Sequence, residues 1–434
     1  MLYECWCRVA RANPDQIALF DPVLERQWTF GELFSCSESR PNPADSILFP
    51  RGTGSDFILG VLDAWRCAKA VCPLEPGQNP PEFAGKVPGS IVHLKTTSAT
   101  AGKPRLVIFT EAQLMADARN IVSTMGLRPE WPNLAVISLA HSYGFSNLVL
   151  PLLLYGVPLI LVGSALPEAV RHAAESHRSV TLAAVPALWQ TWHAAAAIPS
   201  NVKLAISAGA PLPLALEGAV FANSGLKIHN FYGSSECGGI AYDATEVPRT
   251  DSTCVGSALH NVELSIGRDG CVEVRSAAVG ETYWPESGPE LGQGIFRTSD
   301  VGYLSGKMLH LNGRAGDQIN VAGRKVLPET IEAVLTSHPE VRACLAFGVP
   351  SPDAQRGEAI VACVAGRISG MGDELKQFAL ANLPAWQVPR EWWFVDNLEA
   401  NGRGKLSRAE WRKRYLETVR GSSPLKVISP RSTG

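Results

Sequence analysis

Between the apolar runs SIVHL and LVIF lies KTTSATAGKPR, residues 95–105 of a 434-residue chain. The hydroxyls of Thr96, Thr97, Ser98 and Thr100 alternate there with Ala99, Ala101 and Gly102, small residues that let backbone N–H groups approach a ligand closely. Such a run can cradle an anion, polyphosphate above all. It is not a Walker loop, because Lys103 is followed by Pro104 and no Ser or Thr is placed to hold Mg2+. Read alone, the stretch is equally a polar turn between two strands.

Further stretches widen the chemistry. NFYGSSECGG (230–239) offers, in order, a ring to stack on a base, hydroxyls for phosphate and a carboxylate able to give Mg2+ one oxygen. Its plain alternative is a buried tyrosine and a solvated Glu236. Asp300, in FRTSDVGYL, has paired oxygens that suit two ribose hydroxyls, and suits a turn equally well. Arg314, in NGRAGDQINVAGRK, is a rigid fork for phosphate or ribose beside glycines able to pivot. Lys405 sits in the Gly-flanked loop NGRGKLSR.

The elements that must position these residues read as an α/β chain. Strands of four to seven residues alternate with helical spacings as far as about residue 254, the pattern of a mainly parallel sheet flanked by helices. TTSATAGKP, AHSYG, SAGAP and YGSSE each follow such a strand, where ligands of parallel sheets gather. From about Val255 to 312 short alternating strands with Gly turns predict a β-rich subdomain. Beyond it a small α+β unit begins. The boundaries expected are an N-terminal domain over 1–314, a C-terminal domain over 315–420 and a disordered tail over 421–434.

Composition narrows the partners. Lys plus Arg (39) nearly balance Asp plus Glu (41), which argues against nucleic acid or a polybasic membrane surface. The ten cysteines form no C-x2-C pair and read as free thiols of a reducing cytosol, giving a cytoplasmic expectation. Met1–Arg11 has no signal-peptide core. The run LVLPLLLYGVPLILVG (148–163), broken by Pro151, Gly156 and Pro158, reads as helix then buried strand and not as a membrane span.

Taken in order, the five stretches resemble the adenylate-forming (AMP-binding) superfamily of acyl-CoA synthetases, aryl-CoA ligases, luciferases and peptide-synthetase adenylation domains. The resemblance runs from about Pro14 to about Tyr415 and includes PDQIALFDP, WTFGEL, AISAGAPLP and FGVPSPDAQRGEAIVACV. It implies a large adenylation domain followed by a small mobile one, in an unusually short member. The family's phosphate loop, usually TSGTTGKPK, is Thr97 to Arg105 here, so Thr97, Ser98, Thr100, Gly102 and Lys103 would bind nucleotide. Tyr232 and Gly233 would belong to the adenine site, the ring stacking while Ala208, Gly209 and Ala210 line it. Ser235 would bond the α-phosphate, Glu236 would bind Mg2+, and Asp300 and Arg314 would grip the ribose. Lys405 would bridge carboxylate and α-phosphate oxygens as they react.

In the second half-reaction a thiol, from CoA or the phosphopantetheine of a carrier protein, attacks the acyl-adenylate. Family members turn the small domain about the position that is Gly316 here, usually Asp or Lys, and bring the loop around Gly323 to the thiol channel. Ala99, Ala101 and Asn320 are further departures from the family pattern. His141 in AHSYGFSN carries the His of acyl- and aryl-CoA ligases, and no Asp for an amino-acid amine lies in that segment. His141 thus joins Lys405, Glu236 and Ser235 as a catalytic candidate, with a structural histidine as its alternative. Trp189, Ala208, Gly238 and Gly239 would line the acid pocket, where Trp189 and Trp192 either shorten it or are core.

The function implied is ATP-dependent activation of an aryl or short-to-medium acyl acid, then transfer to CoA, by a monomer or homodimer. The alternatives are an acid:carrier-protein ligase and a catalytically weak binder of nucleotide or acyl groups.

Overall fold

The computed structural model describes residues 1–21, 25–81, 87–97, 105–351, 357–366, 372–399 and 406–421. Ser98, Thr100, Gly102, Lys103, Lys405 and the tail from 422 lie outside the described residues.

The chain begins with a helix that the sequence reading passed over. Leu2–Ala12 buries Leu2, Cys5, Trp6 and Ala10, a stripe at spacings of three and four that faces the core. The antiparallel pair Ile17–Asp21 and Arg26–Thr29 follows, as the turn-forming DPVLERQ predicts. The helix Phe30–Ser39 then starts on a capping box: Glu32 N–H donates to Thr29 Oγ1 at 3.0 Å, and Thr29 N–H to Glu32 Oε2 at 2.8 Å.

The alternating pattern becomes parallel sheet. Strands Leu159–Leu161, Asn133–Ala135, Val180–Ala184, Val202–Ser207 and Ile228–Ser234 pair in that order, all parallel, within a 14-stranded sheet. Every residue of Val180–Ala184 is buried, as a strand covered on both faces requires. The run 148–163 forms helix Leu150–Tyr155, closed by Gly156 in the left-handed region (φ 71°), and then the buried strand Leu159–Leu161. No helix among the described residues is long and apolar enough to cross a membrane. Of the apolar run LAVISLA (134–140) only its first two residues join the ladder, in strand Asn133–Ala135.

The sheet continues into antiparallel strands from Gly238 to Arg314, the β-rich texture read above. A second, five-stranded sheet holds Ile91–Thr96 and Leu106–Thr110, which pair antiparallel on either side of the hydroxyl-rich run. All ten cysteines are free thiols.

Contacts divide the chain into two units, Met1–Thr298 with Tyr303–His310, and Ser299–Gly302 with Leu311 onward. In the second unit the central strands are buried on both faces, and their period of two feeds two cores. Cys344, Ala346, Ile360, Ala362 and Val364 pack with Ile331 and Leu335 of helix Pro328–Thr336 and with Leu375 and Ala379 of helix Gly372–Asn382. The alternate residues Leu345, Phe347, Val361 and Cys363 pack with Trp411 and Tyr415 of helix Arg408–Gly421.

Candidate active site

The tyrosine motif is a hairpin and not a loop after a strand. Ile228–Ser234 runs on through Tyr232 and Gly233, turns at Ser235–Cys237 and returns antiparallel as Gly238–Tyr242, with Tyr232 opposite Ala241 and Gly233 opposite Gly239. Glu236 therefore sits in a tight turn. Its N–H donates to Ser234 Oγ at 3.2 Å and its carbonyl accepts from Gly280 N–H at 2.8 Å. The hydroxyl of Tyr283 donates to Glu236 Oε1 at 3.1 Å. Burial, and then the Glu236 charge, push that phenol well above its ordinary pKa, so it stays a donor.

Beneath the hairpin lies a buried network that the sequence reading missed. Asp117, on helix Glu111–Met125, accepts from Gly239 N–H at 3.1 Å and from Ser146 Oγ at 2.6 Å. Lys95 Nζ stands 3.9 Å from Asp117 and 4.6 Å from the centre of the Phe109 ring. Burial lowers the Lys95 pKa while Asp117 opposes the shift. A signal was available. Asp117 shares the apolar face of Leu114, Ala118 and Ile121, and Lys95 closes a strand otherwise mostly apolar.

The two glycines assigned to the acid pocket are packed against this network. Gly238 is in the left-handed region (φ 69°), and a Cβ there would lie 2.0 Å from Asp117 Oδ1. A Cβ on Gly239 would lie 2.5 Å from Leu259 Cδ2. Trp189 is likewise core. It is fully buried, its Nε1 donates to Ile206 O at 3.2 Å, and its ring meets Trp192 edge-on with centroids 5.4 Å apart. Trp189, Gly238 and Gly239 are all buried and closely packed. Both indoles find carbonyl partners, Trp192 at Ala165 O, which is why the two can be buried so completely.

Ala208, Gly209 and Ala210 follow strand Val202–Ser207, whose ladder extends through Ala208 N–H to Ala184 O at 3.1 Å. Gly209 (φ 85°) is exposed and Ala210 half-buried. His141 precedes a short helix, with Nε2 3.1 Å from Glu75 Oε1, and Ser138 Oγ donates to the same oxygen. Glu75 is a partner that the sequence reading did not name. At the base of the hydroxyl-rich run Thr97 N–H and Oγ1 both donate to Arg105 O, at 2.9 and 3.0 Å. The neck of that loop is thereby closed.

In the second unit Asp300 lies in strand Ile295–Ser305 and not in a turn, and Arg314 Nε donates to its Oδ1 at 3.0 Å. Gly313 (φ 141°) directs the chain into Arg314, and a Cβ there would lie 2.2 Å from Glu329. Gly316 is exposed in the turn Ala315–Asp317, with open space at its Cβ position. Gly323 (φ 80°) makes the turn between Ile319–Val321 and Arg324–Val326. Arg408 pairs with Asp317, Glu329 and Glu332, each at 2.8 Å. Burial raises the pKa of Glu329 and Glu332 against the lowering effect of Arg408.

No group of three or more metal-ligating side chains occurs among the described residues. A single carboxylate such as Glu236 suits a metal that arrives with phosphate oxygens, as Mg2+ does.

An AMP-binding enzyme model matches residues 57–295, and an AMP-binding enzyme C-terminal domain model matches 330–405. Feruloyl-CoA synthase of an Amycolatopsis species is 30% identical over 345 residues, spanning 74% of this chain and 69% of the relative. A probable 2-succinylbenzoate–CoA ligase of Mycobacterium tuberculosis is 30% identical over 339 residues, 74% of this chain and 83% of the relative. The o-succinylbenzoate CoA synthetase of Bacillus subtilis, solved with its acyl-adenylate intermediate, superimposes with a TM-score of 0.81 at 21% identity, over 94% of this chain and 97% of its own. That synthetase has also been solved with ATP and a magnesium ion. The two family models and these relatives define the class, the AMP-binding ligases. The chain belongs to the AMP-binding enzyme family, the adenylate-forming superfamily, as an acid–thiol ligase.

Proposed function

We propose that this chain activates an aromatic carboxylic acid with ATP and Mg2+, releasing pyrophosphate, and transfers the acyl group from the adenylate to CoA. The observation that carries the reading is the hairpin Ile228–Tyr242, which sets Tyr232, Ser235 and Glu236 on one strand and turn with Glu236 tied down by Tyr283. The preference for an aromatic acid rests on the two curated relatives, both named for ring-bearing acids. CoA as acceptor rests on the same names.

The reaction brings two anions together, so preorganised positive charge and donors must dominate. In this assignment the phosphate-loop residues, with Thr97 at the closed neck, hold the phosphates, and Ser235 bonds the α-phosphate. Asp300 accepts from the ribose hydroxyls, its carboxylate oriented by Arg314. Glu236 holds Mg2+, which when bound neutralises phosphate charge. Lys405 bridges the reacting oxygens. The carboxylate oxygen bonds phosphorus as the bond to pyrophosphate breaks. In the second step the thiolate displaces AMP from the acyl carbon. We place the pivot between these steps at Gly316 and the domain boundary beside it.

Pyrophosphate release over a panel of aryl and straight-chain acids, with and without CoA, tests the reading. Acid-dependent release that CoA accelerates, with acyl-CoA accumulating, is expected. Stimulation only by a phosphopantetheinylated carrier would replace CoA as acceptor, and nucleotide binding without release for any acid would leave a binder. Lys405→Ala should slow adenylation by about 100- to 1,000-fold, the scale of one lost charge-stabilising donor. Thioester formation from supplied acyl-adenylate should persist in that variant. Equal loss of both steps would remove Lys405 from its assigned role.

A further inference from the structure

Glu236 is gripped twice by one short segment. Gly280 N–H holds its backbone carbonyl at 2.8 Å and Tyr283 Oη holds its carboxylate at 3.1 Å. Tyr283 is 3% exposed and lies in strand Thr282–Trp284, which pairs antiparallel with Leu106–Thr110 so that Tyr283 faces Val107. The backbone register therefore fixes where the phenol ring stands. A second clamp fixes how it is turned. The Arg105 guanidinium carbon lies 3.7 Å from the ring centre, and Arg105 Nη2 donates to Glu290 Oε1 at 2.9 Å. Arg105 is itself the closing residue of the hydroxyl-rich run, bonded across its neck to Thr97.

The terminal torsion of a glutamate is broad and unrestrained in water. A buried neutral phenol that donates to one carboxylate oxygen restricts that torsion without adding a competing charge. Carboxylates that serve metals are commonly held by such outer partners, whose loss weakens the metal site while the ligand remains. Neither Glu290 nor the ring contact of Arg105 has been given a role above, and Tyr283 has entered only as the donor to Glu236.

We propose that Tyr283 is a positioning residue for Glu236, and that Arg105 and Glu290 lock its ring, so that the closing residue of the phosphate loop and the carboxylate facing Mg2+ are set by one strand. The assignment rests on the reading of Glu236 as the residue that meets magnesium-bound ATP. It predicts a defect in metal dependence that spares the fold.

The test is calorimetric titration of ATP into the 434-residue protein at a series of Mg2+ concentrations, with melting temperature measured alongside. Tyr283→Phe keeps the ring and the Arg105 contact but removes the donor. It should raise the Mg2+ concentration for half-maximal ATP binding about tenfold, the lower end of what losing an outer partner of a ligand costs. Melting should fall by only about 2–4 °C, the scale of one hydrogen bond. Arg105→Gln, which unlocks the ring and keeps the hydroxyl, should shift the Mg2+ requirement in the same direction by less. In a Glu236→Ala background Tyr283→Phe should add nothing, whereas a merely structural role would give the same loss in both backgrounds. A Mg2+ requirement in Tyr283→Phe within twofold of the wild type would overturn the assignment. Wild-type protein that binds no ATP with Mg2+ would instead overturn the reading of Glu236 on which it stands.

Discussion

His93 cannot gain a proton without disturbing its surroundings. It is 1% exposed on strand Ile91–Thr96, its ring 4.3 Å from that of Phe145, and burial and then the Lys95 charge hold its pKa well below the ordinary 6.5. A histidine whose folded pKa is depressed takes up its proton first in the unfolded chain. Stability is then complete above pH 6.5 and falls as pH drops from there towards the folded value. One such proton gives a slope of about 1.4 kcal/mol per pH unit. His93→Leu should remove that share of the acid sensitivity, seen as a flatter dependence of urea-denaturation stability on pH between about 6.5 and 5. Equal slopes in the two proteins would show that His93 does not titrate in this way. Lys95 beside it is legible as odd in the sequence, a charge closing a mostly apolar strand. Its partner Asp117 could not be named there, because 22 residues separate the two in sequence and only the packed helix Glu111–Met125 brings them together.

Among the secondary-structure elements, the hairpin Ile228–Tyr242 depends most on one residue type. Gly238 combines a left-handed backbone with a carboxylate 2.0 Å from where a methyl group would stand. Gly238→Ala should therefore cost about 2–4 kcal/mol, strain and overpacking together, and lower the melting temperature and ATP affinity jointly. Unchanged melting would mean that Asp117 moves aside freely. The elements themselves were largely readable. Thr110 and Gln113 stand at the spacing of a capping box, and Thr110 N–H donates to Gln113 Oε1 at 2.8 Å. Apolar periodicity is local, so helix Glu111–Met125 and strands such as Val180–Ala184 stand out from neighbouring residues alone. Pairing is not local. Tyr232 and Gly233 read as loop because glycine and serine follow the aromatic, and only the return strand Gly238–Tyr242 shows that they sit in a ladder. The buried partner of the Trp189 indole, Ile206 O, was likewise out of reach of the sequence, because it comes from a different element, strand Val202–Ser207.

For the molecule as a whole, the sequence supports one large AMP-binding region followed by a smaller α+β region. The second unit's separate cores on the two faces of the Val341–Pro350 and Glu358–Gly366 strands were implicit in their continuous apolar runs. Gly316 has open space at its Cβ, so side chains are excluded there by no contact in the structure. Under the pivot proposed there its value would be backbone freedom, and Gly316→Pro, which removes that freedom, should slow thioester formation by about tenfold or more while acid-dependent pyrophosphate release persists. Normal thioester formation in that variant would remove Gly316 from the mechanism. Arg408 adds a mechanical corollary. Its pairs with Asp317, Glu329 and Glu332 fasten Asp317, the helix Pro328–Thr336 and the start of helix Arg408–Gly421 into one piece, three residues along the chain from Lys405. Under the pivot proposed at Gly316, that piece would turn as one body, as a lever does about a single glycine.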